Sequence, residues 1–258
     1  MDMGAIIQAR RGSKRLPDKI MKPLSGKTIL WHVVERVAYS KLIDGVVVAT
    51  TINQRDDVVD ELCKKNNFSL FRGSEDDVLD RYYQCAKEYN IKNIVRITAD
   101  CPLIDPNVID IVIQYFLDNK FDYVSNRIEP TYPDGLDVEV FSYETLEKTW
   151  KETTLSSDRE HVTTYIENHP ERFKISNVKQ NIDLSYLRWT VDYKKDLEVV
   201  KEIYKKLYSK KHIFLMEDVL QLLDKHPELT KMNTGIRRNE GIFLSKQNEK
   251  VIKRGKTK

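Results

Sequence analysis

The chain has 258 residues, of which 40% are apolar and 32% charged, and 43 basic against 40 acidic side chains leave a formal charge of +3. That length suits one large α/β domain, or a domain with an appendage. No apolar run approaches the roughly 18 residues that span a bilayer, and the near balance of charge argues against a nucleic-acid binder with one strongly basic face.

The first half alternates short β-branched runs with amphipathic stretches, the pattern of βαβ units around a largely parallel sheet. Residues 5–9 form the first predicted strand. That run is too short for a signal-peptide core and a basic loop follows it, so a cytoplasmic location is expected. Ile29, Leu30, Val33, Val34, Val37 and Ala38 recur at helical spacing and predict a helix over 28–39. A strand over 46–50 follows, then a helix carrying Val58, Val59, Leu62 and Cys63 on one face, and a strand over 68–71. A third helix is expected over 76–89 and a central strand over 94–98. Pro106 suits the first position of the next helix, which is apolar nearly all round through Phe116 and is expected to be well buried.

After residue 125 the rhythm changes, with Pro130, Pro133 and Gly135 breaking the chain before a strand over 136–141. Helices are predicted over 143–150 and 158–168, and strands over 173–178 and 187–191. A helix with Leu197, Val200, Tyr204 and Leu207 on one face comes next, then a short one near 217–223. Residues beyond 239 carry little core signal. The tail, with Lys253, Arg254, Lys256 and Lys258, reads as a solvated end rather than a nucleic-acid arm. Cys63, Cys85 and Cys101 lack C-x-x-C spacing, which fits reduced, buried thiols.

The segment A-R-R-G-S-K-R-L-P-D-K over 9–19 leaves the carboxyl end of the first strand, where open α/β sheets bind ligands. Arg10, Arg11, Lys14, Arg15 and Lys19 are cations, and Gly12 with Ser13 lets backbone N–H groups approach an anion. Forked guanidiniums and compact ammonium groups both suit phosphate oxygens, so phosphate binding is preferred to a merely solvated basic loop. Ser25-Gly26-Lys27-Thr28 imitates the end of a P-loop. The first glycine of that motif would fall at Met21, and Pro23 interrupts a loop that needs free N–H groups. It is rejected.

T-A-D-C-P-L-I-D-P over 98–106 sets Asp100 at the tip of a central strand, and W-T-V-D sets Asp192 at the end of another. Asp100 could cap a turn and Asp192 a helix. Together they could converge on one Mg²⁺, which takes one or two carboxylates plus waters and substrate oxygens.

Six ordered segments carry a resemblance: I-I-Q-A-R-R-G-S-K-R-L-P-D-K (6–19), F-R-G-S-E-D-D-V-L-D-R-Y (71–82), R-I-T-A-D-C-P-L-I-D-P (96–106), Y-P-D-G-L-D-V-E-V-F (132–141), D-R-E-H-V-T (158–163) and R-W-T-V-D (188–192). The chain resembles the SpsF-type spore-coat polysaccharide cytidylyltransferases, relatives of the acylneuraminate and Kdo cytidylyltransferases. The resemblance implies an α/β, Rossmann-like GT-A-type nucleotidyltransferase fold, with a mostly parallel mixed sheet flanked by helices. It implies transfer of CMP from CTP to a sugar acid or related phosphorylated metabolite, with Mg²⁺ as cofactor. Arg10, Arg15 and Lys19 would hold the triphosphate, Asp100 and Asp192 the metal, and Ala9, Gly12, Ser13, Arg72, Ser74 and Thr98 would lie around the nucleotide. Asp134, Asp137, Glu139, Arg159, Glu160 and His161 would lie on the acceptor side.

The same resemblance sets the expected domain at 1–238, with an acceptor-side and dimerisation insertion at about 128–178 and a basic tail over 239–258. The expected partners are CTP, a small acidic or phosphorylated acceptor and a second copy of the chain, with neither nucleic acid nor membrane. Asp137 and Glu139 share one strand face and could hold acceptor hydroxyls or form an ion-pair lattice with Arg127 or Arg159. His161 is a base, an acceptor ligand or a structural histidine. The Kdo enzymes carry Gly-Asp-Glu-Pro where this chain has Ala99-Asp100-Cys101-Pro102, which leaves the acceptor class open. A glycosyltransferase would usually show D-x-D, but position 102 is Pro102. A non-catalytic sugar- or nucleotide-binding regulator would not need Lys19, Asp100 and Asp192 together.

Overall fold

The computed structural model describes residues 1–252, the side chains at positions 242 and 244 excepted. The tail residues Lys253, Arg254, Lys256 and Lys258 lie outside the described residues. In chain order the strands are β1 (Met3–Gln8), β2 (Pro23–Leu24), β3 (Lys27–Thr28), β4 (Gly45–Thr51), β5 (Ser69–Gly73), β6 (Asn93–Thr98), β7 (Tyr123–Ser125), β8 (Glu139–Ser142) and β9 (Ile175–Asn177). The helices are α1 (Ile29–Ala38), α2 (Asp57–Asn66), α3 (Val78–Glu88), α4 (Pro106–Asp118), α5 (Tyr143–Glu152), α6 (Ser156–His161), α7 (Thr164–Asn168), α8 (Lys194–Leu207), α9 (Met216–Lys225), α10 (Glu228–Lys231) and α11 (Glu240–Gln247).

Seven strands form one sheet in the order β5-β4-β1-β6-β8-β7-β9, parallel except where β8 runs against β6 and β7. This is the mostly parallel mixed sheet expected of the nucleotidyltransferase fold. Strand β1 shows how the sequence builds it. Ala5 and Ile7 point into a core shared with α1, α4, α8 and α9, while Ile6 joins a second core on the other face with Tyr82 of α3 and Phe141. Period-2 alternation of apolar residues on both faces is what a central, doubly covered strand requires.

Register then places the loops. Gln8 pairs with Thr98, so the loop from Ala9 and the turn through Asp100 leave the sheet side by side. Because β8 is antiparallel, its entry, not its exit, lies at this edge: Glu139 pairs with Arg96 and Ser125. Three segments that are distant in sequence therefore open onto one end of the sheet.

Several expectations need correction. Helix α4 is not buried all round: Ile111, Tyr115 and Leu117 are exposed on its outer side, while Val108, Ile109, Val112 and Ile113 face the core. The helix expected over 158–168 is two, broken at the fully buried Val162, whose φ of 68° no helix accepts. No strand forms over 187–191. That segment is fastened instead to turns, with Val191 N–H donating to the Asp100 carbonyl (2.8 Å) and Trp189 and Thr190 N–H to that of Asp134 (2.6 and 3.0 Å), so only a single bridge from Arg188 to Asp134 is formed. The P-loop look-alike is a tight hairpin between β2 and β3. Ser25 and Gly26 both have positive φ, as such a turn demands, and Thr28 caps α1 through the Trp31 N–H.

Past residue 239 the chain continues as α11, which packs against α6. Val251 then bridges to Leu155 and the Ser156 N–H donates to the Lys250 carbonyl.

Candidate active site

Lys19 starts a short 3₁₀ turn after Asp18, which takes a left-handed conformation. Its ammonium donates to Asp100 Oδ2 at 2.6 Å and to Asp192 Oδ1 at 2.8 Å. Arg15 joins the same oxygen of Asp192 at 2.7 Å. Neither aspartate is spent on capping. Asp105 caps α4, and Asp196 takes the N–H groups of Asp192 and Tyr193 at the start of α8. Burial works against the charge on Lys19, but Asp100 and Asp192 outweigh it and raise its proton affinity above the ordinary lysine value. Burial likewise opposes ionisation of Asp192, yet Lys19 and Arg15 hold its carboxyl well below the usual range.

Asp100 and Asp192 line a cleft of about 190 Å³. Its wall carries Asp134, Asp137 and Glu139 from the entry to β8, interleaved with Arg96, Arg127 and Arg188. The acids and arginines form an ion-pair lattice. Glu139 meets Arg96, Arg127 (3.4 Å) and the Tyr123 and Thr163 hydroxyls. Asp137 meets Arg238, and Asp134 meets Arg188 at 2.6 Å. Burial and the neighbouring Asp137 push the Asp134 carboxyl up to about 7 against the pull of Arg238 and Arg188. For Glu139 burial pulls upward, but Arg96 and Arg127 win and lower it.

The remaining expected residues fall into two groups. Arg10 pairs with Glu160 at 3.5 Å, and His161 Nε2 lies 3.0 Å from the Ser245 hydroxyl, which also donates to Glu160. Burial brings His161 down to about 4, so it is uncharged at neutral pH. Ala9 is buried, with its N–H on the Ala49 carbonyl; Ser13 Oγ accepts the Leu16 N–H; and Thr98 Oγ1 lies 3.2 Å from the Cys101 thiol. At Gly12 a Cβ would come within 2.6 Å of the Arg55 guanidinium, so glycine lets the loop lie against that side chain.

Three residues are turned elsewhere. Arg72 spends its guanidinium on the Thr51 carbonyl (2.9 Å) and Asp57 (2.7 Å). Ser74 accepts the Asp77 N–H near the start of α3, and Arg159 is buried with its guanidinium on Asp77 at 2.6 Å. Arg11 likewise turns away, to Asp18 and the Arg55 carbonyl. Among the described residues all three cysteines are free and buried, and burial raises the Cys101 thiol well above its ordinary value. It is no activated nucleophile. A wider groove between α8 and α9 is walled by Lys205, Lys206, Lys210 and Lys225, without such convergence of acids and cations.

Sequence reasoning gave no role to Arg188, Gln8, Arg238 or Glu240. Gln8 accepts from Arg96 at 3.0 Å, and Glu240 accepts the Tyr193 hydroxyl at 2.6 Å and lies 3.9 Å from Arg15. A charged residue amid apolar neighbours, as in L-R-W, marks Arg188. Nothing in the weakly patterned C-terminal stretch marked Glu240.

A family model described as cytidylyltransferase matches residues 4–247. An uncharacterized protein of Methanocaldococcus jannaschii is 39% identical over 92% of this chain and 96% of its own length. The spore coat polysaccharide biosynthesis protein SpsF of Bacillus subtilis is 34% identical over 88% of this chain and 96% of its own. A solved cytidylyltransferase from Leptospira borgpetersenii serovar Hardjo-bovis superimposes with a TM-score of 0.86 at 39% identity, covering 92% of this chain and 100% of that one.

Proposed function

The chain belongs to the cytidylyltransferase family, and from that premise we propose that it transfers CMP from CTP to a small acidic or phosphorylated acceptor for surface polysaccharide or glycoconjugate synthesis. The observation that carries the reading is the single ammonium of Lys19 shared beside Arg15 by Asp100, just past the end of β6, and Asp192, just ahead of α8. An acceptor oxygen forms a bond to the α-phosphorus, and the bond from that phosphorus to the bridging oxygen of pyrophosphate breaks. Lys19, Arg15 and Arg10 hold the triphosphate and neutralise the charge that grows on the leaving group. The backbone around Ala9, Gly12 and Ser13, with Thr98, faces the nucleotide. Because Arg72 and Ser74 are engaged elsewhere they drop out of the nucleotide side, and because Arg159 is engaged on Asp77 the acceptor side narrows to Asp134, Asp137, Glu139, Glu160 and His161.

Asp100 and Asp192 suit Mg²⁺. Both offer hard oxygens that already converge on one cationic atom, and among the described residues Asp100 Oδ1 has only a long thiol contact at 3.6 Å. No group of three or more His, Cys, Asp or Glu placed to hold a metal ion together occurs among the described residues, so the remaining ligands would be waters and phosphate oxygens. When bound, the ion would polarise the α-phosphate. Because the Ser245 proton goes to Glu160, the uncharged His161 donates to Ser245 through Nε2, and its Nδ1 is the ring nitrogen that would accept a hydrogen bond or proton from an acceptor hydroxyl.

We place the enzyme in the cytoplasm and assign it a homodimer. The dimer reading rests on edge strand β9, which has no partner on its outer side among the described residues, with Ile128 and the outward residues of α4 exposed nearby. A monomer mass by light scattering at micromolar concentration overturns that assignment. The catalytic reading is tested by pyrophosphate release from each of the four nucleoside triphosphates against a panel of sugar acids and phosphorylated polyols. Turnover should appear with CTP; release with a different triphosphate alone, or with none, rejects it.

A further inference from the structure

We propose that Arg188 is a positioning residue that locks the nucleotide-side Asp192 and the acceptor-side Asp134 into one rigid unit; this rests on the cytidylyltransferase reading of the cleft. The Arg188 side chain is only 8% exposed, and its three nitrogens together reach three carboxylates, with Asp196 also taking a second contact at 3.4 Å from the nitrogen that holds Asp192. One terminal nitrogen donates to Asp134 Oδ2 at 2.6 Å, the other to Asp192 Oδ2 at 3.0 Å, and Nε to Asp196 Oδ1 at 3.1 Å.

The division of oxygens on Asp192 gives this arrangement its meaning. Oδ2 is held inward by Arg188, which leaves Oδ1 facing Lys19 and Arg15. A carboxylate gripped on one oxygen cannot rotate freely, so the orientation of its working oxygen is set by the guanidinium behind it. Asp196 supplies the anchor. It is fully buried, accepts the N–H groups of Asp192 and Tyr193, and is tied to Asn233 at 2.9 Å, whose amide also donates to the Arg188 carbonyl.

The backbone reinforces the clamp. The Asp134 N–H donates to the Leu187 carbonyl, and the Asp134 carbonyl takes two N–H groups from 189 and 190. Gly135, at φ 109°, packs so closely on this segment that a Cβ would stand 2.6 Å from the Thr190 nitrogen. The turn that lines the acceptor end and the segment that carries Asp192 therefore move together. Lysine cannot substitute, because a single ammonium lacks the planar fork that reaches three acids at fixed angles.

The test uses Arg188→Lys and Arg188→Ala in the full chain, with pyrophosphate release, CTP affinity by calorimetry and amide exchange measured in parallel. Misplacing reacting groups lowers kcat while leaving ground-state binding, so kcat should fall about 50-fold or more with CTP affinity within about threefold. Guanidinium ion at tens of millimolar should restore at least about tenfold of the lost rate in Arg188→Ala, whereas urea should not. Peptides covering 132–138 and 187–193 should exchange faster together. The proposal is overturned by a kcat within threefold of the parent, by CTP affinity lost in step with the rate, by failure of guanidinium to restore activity, or by only one of the two segments loosening. If the parent releases no pyrophosphate with any nucleotide, the cytidylyltransferase reading has failed, and the joint exchange response alone decides the clamp.

Discussion

Asp100 and Asp192 lie on separate segments, yet they share the ammonium of Lys19, with contacts of 2.6 and 2.8 Å. Removing it leaves two partly buried carboxylates facing each other, which typically costs on the order of 3 kcal/mol. Lys19→Met should therefore melt several degrees below the parent. It should recover more of that loss on adding Mg²⁺ than the parent gains, and should need far more CTP for half-maximal rate. Calorimetric melting with and without Mg²⁺ checks the first part. An unaltered CTP titration would show that the loop faces elsewhere.

Asp100→Asn keeps the shape of the turn and a hydrogen-bonding oxygen for Lys19 while deleting the charge. Turnover should drop by at least about 100-fold, the scale of losing a group that stabilises transition-state charge, while the melting temperature moves by only a few degrees. Activity near that of the parent would take Asp100 out of the metal site.

Gly135→Ala forces a side chain into a left-handed conformation against the 189–190 backbone. Strain and overpacking together should cost about 3 kcal/mol. A denaturant midpoint equal to that of the parent would mean that the close approach to Thr190 is not maintained in solution.

The buried His32 should govern part of the acid limb of stability. Burial, with Arg36, His212 and Lys27 nearby, holds its ring down to about 4 from the ordinary 6.5, although its contact with the Leu24 carbonyl at 2.7 Å pulls the other way. The unfolded chain takes up this proton below about 6.5 and the folded one only below about 4. Stability from this group is therefore complete above 6.5 and is lost as pH falls through that window, by up to ~1.4 kcal/mol per pH unit. His32→Gln should flatten the fall of melting temperature over this range; equal slopes would exclude the assignment.

Much of this arrangement is legible in the residues themselves. The alternation around β1 and β6 and the cations after Ala9 carry the sheet and the phosphate-facing loop, and the six ordered segments carry the family. What sequence could not supply is register. That Glu139 faces Arg96 follows from β8 running antiparallel, and the lattice of acids and arginines exists only because of that reversal. Residues 187–191 look like a strand because they are apolar and extended, but their partners are turns, so no ladder forms. Arg72 and Arg159 share the loop cations' chemistry, and only the positions of Asp57 and Asp77 show where their charge is used.

Among the described residues the wall of the cleft holds no tyrosine, tryptophan, phenylalanine, leucine or isoleucine; apart from the His161 imidazole and the Cys101 thiol, its side chains are carboxylate, guanidinium, hydroxyl and amide. An occupant there gains little by shedding water from greasy surface and must instead replace one set of ionic partners with another. Concentrated salt should loosen such an occupant far more than warming does. Small molecules sought as competitors will need fixed negative charge and many hydroxyls, because a flat hydrocarbon scaffold finds no wall to lean on.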